Sequence, residues 1–434
     1  MRRFFLLSIF LFLFSSAFAL NMAERMALMC LCTLAEDEAE SSEQLTLLAA
    51  HCLIREGRID EAIKRISGLK AEAYREAASY LLRGLSIELE YGGPTKRREP
   101  EKRPSPEEVA VSLFYSGNYS GFFETLESNP ELLKKPEIRK LLALVHYRTG
   151  RYALALAVLA PYRDPFSCFW RWKIKRKLAL NTEEEENCLA QAPLTDFYGA
   201  LYRAMTGKRP TLKLLPPAQG NRCPSALILQ KSGLDARSLD ALKDCAASRK
   251  DWFHTIPLLP NPNPGIKLLY ALKTDWRTRL SYSYIRPFLA EVRLACWAYE
   301  VDEDLAYAVM RQESLFNRYA LSTSGAMGLM QILPKTAVWI SGKKLNEAWS
   351  LPKYFIPFFS VKYGIWYLGH LGKRFGDIMS IAAYNSGPTR LKKWLDENPW
   401  VEDVADLVEF YPVAETRAYV KKVLVNYYIY RFIL

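Results

Sequence analysis

At 434 residues, half of them apolar and 13% aromatic, the chain is long enough for two to four folded domains, which excludes a disordered or low-complexity protein. Its 59 lysines and arginines outnumber 47 aspartates and glutamates, and the resulting +12 favours a polyanionic partner such as nucleic acid, anionic lipid or an acidic wall polymer. Four scattered histidines (His51, His146, His254, His370) and eight cysteines show no metal-ligand spacing, so no metal and no cofactor are expected.

The first residues, "MRRFFLLSIFLFLFSSAFAL", run from two arginines through an apolar stretch, Phe4 to Phe14, to Ala17-Phe18-Ala19. This is the pattern of a secretory signal peptide over 1–19, cleaved after Ala19; the bland alternative is an uncleaved membrane anchor. No Cys follows Ala19, which argues against a lipoprotein anchor. Export to an oxidising compartment makes nucleic acid a poor partner and turns the positive charge toward a wall polymer or envelope surface. In that oxidising compartment some of Cys30, Cys32, Cys52, Cys168, Cys188, Cys223, Cys245 and Cys296 are expected to pair, but spacing does not choose the pairs.

From about 20 to 254 the pattern predicts an α-helical solenoid domain. "LLAAHCLIREGRIDEAIKRI", "VAVSLFYSGNYSGFFETLE" and "LLALVHYRTGRYALALAVLA" each place a Gly (Gly57, Gly117, Gly150) between two apolar helices. A left-handed Gly ends one helix and lets the next fold back. Gly117 and Gly150 are 33 residues apart, near the period of tetratricopeptide-type hairpins, whereas the preceding 60-residue interval makes the array degenerate. Such a solenoid offers a concave surface for envelope protein partners or serves as a plain stacked scaffold. "GGPTKRREPEKRPSPE", residues 92–107, is a basic solvated linker, and "TIPLLPNPNPG" opens a second, Pro-rich linker over 255–279.

Residues 280–434 are again mostly helical and hold the clusters that suggest chemistry. In "VDEDLAYAVMRQESLF", at about 100° per residue, Ala306, Val309, Met310 and Phe316 fall within roughly 60° of Glu313. Glu313 therefore lies inside the apolar stripe, where desolvation favours the protonated carboxyl and suits a general acid. The bland alternative is a Glu tied to a backbone amide or a distant Arg. Ser322, Ser324, Gly325, Ala326 and Gly328 follow, too small to fill a core and permissive enough to let backbone approach a ligand. "LMQILPKTA" places Gln331 within an apolar stretch, where its amide needs partners. "AAYNSGP" ends a helix on Tyr384 and Asn385, an aromatic face with amide groups that suits sugars. "YPVAETRAYVKKVL" puts Glu415 and Arg417 at a helix start after Pro412.

These four segments, in this order, resemble the catalytic domain of bacterial soluble lytic transglycosylases, goose-type-lysozyme-like enzymes that cleave peptidoglycan. The resemblance covers roughly 280–434, and its most specific part is the run from Glu313 through "GAMGLMQI". It implies a mainly α protein: an N-terminal α-solenoid of superhelical hairpins followed by a lysozyme-like, mostly helical catalytic domain. It implies Glu313 as catalytic acid and base, with Ser322, Gln331, Tyr384 and Asn385 lining the cleft and Glu415 binding sugar or supporting the site. Ser322 read alone is as well a turn or cap residue, and Glu415 a helix cap or ion-pair partner. Leu333 stands where some members have Met, and Tyr363, Trp366 and Tyr367 suit packing as well as sugar contact.

The implied reaction breaks the β-1,4 bond between N-acetylmuramic acid and N-acetylglucosamine in peptidoglycan glycan strands and closes a 1,6-anhydro ring. The expected protein is a periplasmic monomer. Two alternatives stay open: a lysozyme-like muramidase on the same fold, and a non-catalytic envelope scaffold.

Overall fold

A computed structural model describes residues 104–208, 223, 226, 235–248, 252–322, 324–347 and 351–433, with isolated positions 61, 64 and 67. The signal peptide expected at 1–19, Cys30, Cys32, Cys52, the hairpin around Gly57 and most of the 92–107 linker lie outside the described residues. The described chain is helical, with only two isolated bridges, Leu321–Met327 and Met327–Ile332, in place of strands. The expectation of a mainly α fold holds. It divides into two compact units, Met1–Tyr91 with Lys213–His370, and Gly92–Leu212 with Leu371–Leu434.

The second of these units begins with α1 (Pro106–Tyr115), started by a capping box in which Ser105 and Glu108 satisfy each other's backbone N–H groups. Gly117, at φ 75°, ends that turn, and Asn118 caps α2 (Tyr119–Ser128). A second hairpin joins α3 (Pro136–Arg148) to α4 (Tyr152–Leu159) through Gly150 at φ 73°. Both glycines thus take the left-handed role their place between apolar runs predicts. α5 (Pro165–Lys177) is buried from Phe166 to Ile174, including Arg171 and Lys173, and so lies inside the unit. Its charges are matched: Arg171 meets Glu185 at 3.0 Å, and Lys173 meets Asp403 at 2.9 Å and Asp406 at 2.7 Å. A disulfide, Cys168–Cys188, fastens α5 to α6 (Glu183–Gln191), and α7 (Phe197–Thr206) follows.

The first unit contains α8 (Asp235–Ser248), held by the Cys223–Cys245 disulfide. The Pro-rich 255–279 stretch is helical: α9 (Asn263–Ala271) and the start of α10 (Trp276–Ser283) occupy it. Pro264 stands in the first turn of α9, where a missing N–H costs nothing, and Ile266 and Leu269 are fully buried. Next come α11 (Leu289–Tyr299), α12 (Glu303–Ser314), the short α13 (Pro334–Val338), and α14 (Pro357–Phe375). Cys296, buried on α11, is a free thiol whose pKa is pushed up to about 12 by burial and by the nearby Glu303 and Asp302 carboxylates. Four helices close the chain in the second unit: α15 (Asp377–Ser386), α16 (Pro388–Glu397), α17 (Val404–Phe410) and α18 (Ala414–Ile433).

Candidate active site

Asp302 starts α12 by accepting the Leu305 N–H at 3.1 Å, and Arg286 pairs with Glu303 and Asp304 in the first turn. Leu305, Ala306, Val309, Met310 and Phe316 are buried, so the apolar stripe faces the core as the spacing predicts. Glu313 sits one residue from the helix end and is half-buried. Arg311, two positions away, is buried and engaged elsewhere: it donates to Tyr270 Oη at 2.9 Å and lies 3.9 Å over the Tyr284 ring.

Beyond Glu313 the chain turns sharply, with Leu315 and Phe316 both at positive φ, 49° and 63°. Two consecutive non-Gly residues there are strained, and such strain persists only where the surroundings over-determine it. Asn263 of α9 supplies part of that restraint. Its side-chain amide, buried, donates to the carbonyls of Ser314 at 3.2 Å and Leu315 at 3.1 Å. These are helix-terminal carbonyls that the helix itself leaves open. The sequence pattern marks Asn263 only as part of a linker, and misses it.

The 320–332 loop is built from its small residues. Ser322 closes a tight turn: its N–H donates to the Ala326 carbonyl and its Oγ accepts from the Ala326 N–H, both at 2.9 Å. That is the turn role weighed for Ser322. Gly328, at φ 75°, has no room for a Cβ, which would stand 2.2 Å from the Tyr354 carbonyl oxygen and 2.6 Å from Ser360 Oγ. Gly364 of α14 would likewise drive a Cβ to 2.2 Å from that of Met330. At these two positions the absent side chain serves packing within the protein, not approach of a ligand. Gln331 finds its partners inside the loop, donating from Nε2 to the Ala320 carbonyl at 3.1 Å and the Gly328 carbonyl at 2.9 Å. Its Oε1 is the end left to accept from a ligand.

Tyr384, Asn385 and Glu415 belong to the second unit, while Glu313, Ser322 and Gln331 belong to the first. Tyr384 and Asn385 end α15 and are both half-buried. Asn385 Oδ1 accepts from Thr416 Oγ1 at 2.6 Å, which joins the helix ending in "AAYNS" to the first turn of α18. In the Glu415-Thr416-Arg417 run, Glu415 is exposed, Thr416 is buried, and Arg417 donates to the Tyr411 carbonyl at 2.6 Å. Thr416, not Glu415, is the residue that meets Asn385. A threonine between two charged residues gives no sequence signal of that contact.

Residues 292–406 match the family model "Transglycosylase SLT domain". The chain is 38% identical over 138 residues to the soluble lytic murein transglycosylase of Escherichia coli K12, covering 31% of this chain and 21% of that protein. The Salmonella typhimurium protein of the same description is 37% identical over 133 residues, covering 29% of this chain and 20% of its own. The matched stretch thus spans about a fifth of the length of these relatives. Among solved structures, an inactive mutant of the lytic transglycosylase Slt from Pseudomonas aeruginosa is similar at a TM-score of 0.54 and 20% identity, over 89% of this chain and 62% of that one. The 70-kDa soluble lytic transglycosylase of Escherichia coli is similar at 0.52 and 22% identity, over 90% and 62%. At these identities the structural likeness shows a common helical fold.

Proposed function

From a chain that carries a transglycosylase SLT domain over 292–406, we propose a peptidoglycan lytic transglycosylase with Glu313 as its single catalytic carboxyl. The observation that carries this is the placement of Glu313. It lies inside the family match, half-buried on an apolar stripe, at a helix end fixed by Asn263 and by two left-handed residues.

The protonated carboxyl donates its proton to the glycosidic oxygen between N-acetylmuramic acid and N-acetylglucosamine, and the β-1,4 bond breaks as N-acetylglucosamine leaves. The substrate's own N-acetyl group stabilises the oxocarbenium-like centre, a role a second carboxylate performs in most glycosidases. The Glu313 carboxylate then takes the proton of the muramoyl 6-hydroxyl. That oxygen closes on C1, giving the 1,6-anhydro ring and restoring the acid. No water is consumed.

Ser322, Gln331, Tyr384, Asn385 and Glu415 are proposed to contact the glycan. Gln331 Oε1 is suited to accept from a sugar hydroxyl, since its amide hydrogens are already committed. The Asn385–Thr416 bond leaves the Asn385 amide N–H groups to donate to the substrate. The 1–19 signal peptide and a periplasmic site remain part of the proposal. Two disulfides support an oxidising compartment, and no helix among the described residues is long and apolar enough to cross a membrane. The 20–254 solenoid ahead of a 280–434 catalytic domain is the proposed organisation, with α9 and the start of α10 in the intervening 255–279 stretch and envelope proteins as docking partners of the solenoid.

Replacing Glu313 by Gln tests the assignment. Cleavage of purified cell walls is expected to fall by several orders of magnitude, with an unchanged helical spectrum and melting temperature, because the leaving group loses its proton donor. A Glu313→Gln protein that clears walls as fast as the parent would remove Glu313 from the mechanism.

A further inference from the structure

Within the second unit, away from Glu313 in the chain, a cavity of about 440 Å³ opens between helices α1, α3 and α5 and the start of α18. Its volume falls in the range of small-molecule sites, about 300–1,000 Å³. One wall is apolar, formed by Leu141, Leu144, Ala414 and Ala418, with the Phe166 ring beside it. The remainder is polar: three cations, Lys140, Arg417 and Lys421, two carboxylates, Glu137 and Glu409, and the tyrosines Tyr115 and Tyr198. Two of the cations are already answered. Lys421 pairs with Glu409 at 2.5 Å, and Lys140 lies 3.4 Å from Glu137 and 3.5 Å from Asp164.

Arg417 differs. Its guanidinium is stacked 3.6 Å over the Tyr115 ring, and its one hydrogen bond among the described residues runs to the Tyr411 carbonyl. Among those residues no carboxylate forms an ion pair with it. Burial lowers its pKa, the mark of a cation that has lost solvation, against the opposing charge of Glu409, which lines the same cavity and is itself held by Lys421 and Tyr198. A guanidinium has five N–H donors in a planar fork that matches a carboxylate.

We propose that this cavity binds a small ligand with a free carboxylate and an apolar body, the carboxylate paired with Arg417 and the body laid against Leu141, Leu144 and Ala418. A short peptide ending in small apolar residues has that chemistry. If the wall-polymer function proposed above holds, the peptide branches of the same polymer are its source. Cleavage at Glu313 and occupancy of this cavity are separate events, because the cavity lining includes none of the proposed catalytic or glycan-contacting residues.

Calorimetric titration of the full chain with N-acetyl-D-Ala-D-Ala and with its C-terminal amide tests the proposal without turnover. The acid is expected to bind and the amide to bind at least about tenfold more weakly. Ala418→Phe, which fills the cavity without touching a charge, and Arg417→Gln are each expected to weaken the acid at least about tenfold while the helical spectrum stays unchanged. Glu313→Gln is expected to bind as the parent does. No heat with the acid at about 10 mM, equal binding of acid and amide, or undiminished binding in Ala418→Phe overturns the cavity assignment. Loss of binding in Glu313→Gln overturns it too, by placing the peptide at the catalytic carboxyl. A peptide that binds to a protein without lyase activity leaves this site standing and removes only the proposed reaction.

Discussion

Glu313 owes its position to residues that never appear in a reaction scheme. Its apolar stripe is legible from the spacing of Ala306, Val309, Met310 and Phe316, because a helix fixes which positions share a face. The roles of the small residues after it are not legible in that way. Gly325 and Gly328 look alike in sequence, yet a Cβ on Gly325 would meet open space while one on Gly328 would collide with the Tyr354 carbonyl. Gly328→Ala is therefore expected to lower stability by about 3 kcal/mol, and Gly325→Ala by only about 1 kcal/mol, the cost of the left-handed backbone alone. Denaturant unfolding of both variants checks this; equal losses would mean that the Gly328 packing is not what restricts the position.

Glu186 shows the same dependence on neighbours the sequence does not announce. Lys208 at 2.9 Å, the Thr182 hydroxyl at 2.9 Å and the Tyr202 hydroxyl at 3.2 Å lower its pKa to about 2. An unfolded Glu titrates near about 4.3. Its contribution is thus fully present above that pH and is lost as the pH falls from about 4.3 to 2. Acid unfolding curves of the parent and of Glu186→Gln are expected to converge across that window; curves that stay parallel through it would remove the linkage.

At the scale of elements, the hairpins of the second unit follow from glycines that enter the left-handed conformation, which ends a helix, at little cost. α1 with α2, and α3 with α4, turn at Gly117 and Gly150 as the apolar runs on either side require. The 255–279 stretch reads as a linker because prolines usually interrupt helices. There Pro264 falls in a first turn, where it favours the helix, and α9 becomes part of the core.

That difference matters for the site, because α9 carries Asn263 to the end of α12. Asn263→Ala is expected to cost about 1–3 kcal/mol of stability by leaving two carbonyls unanswered. If Asn263 also positions Glu313, kcat falls while KM changes little, and Asn263→Gln recovers part of kcat. A loss confined to stability, with kcat intact, would make Asn263 a purely structural residue.

For the whole molecule, composition excludes more than it identifies. A charge of +12 and eight cysteines are compatible with the proposed wall enzyme, yet neither names a substrate. The pairings Cys168–Cys188 and Cys223–Cys245 could not be chosen from spacing, since each depends on which helices pack together. The proposed chemistry rests on the order of four short segments, one of which sets Glu313 on an apolar helix stripe. The contacts that hold Gln331 and Asn385, through Ala320 and Thr416, are tertiary and lay beyond that pattern. Mass spectrometry of purified peptidoglycan after incubation with the full chain tests the single-carboxyl lyase most directly. Fragments ending in 1,6-anhydromuramic acid, absent with Glu313→Gln, are the expected result. Free reducing ends from the active protein would show that water completes the reaction and would contradict the lyase.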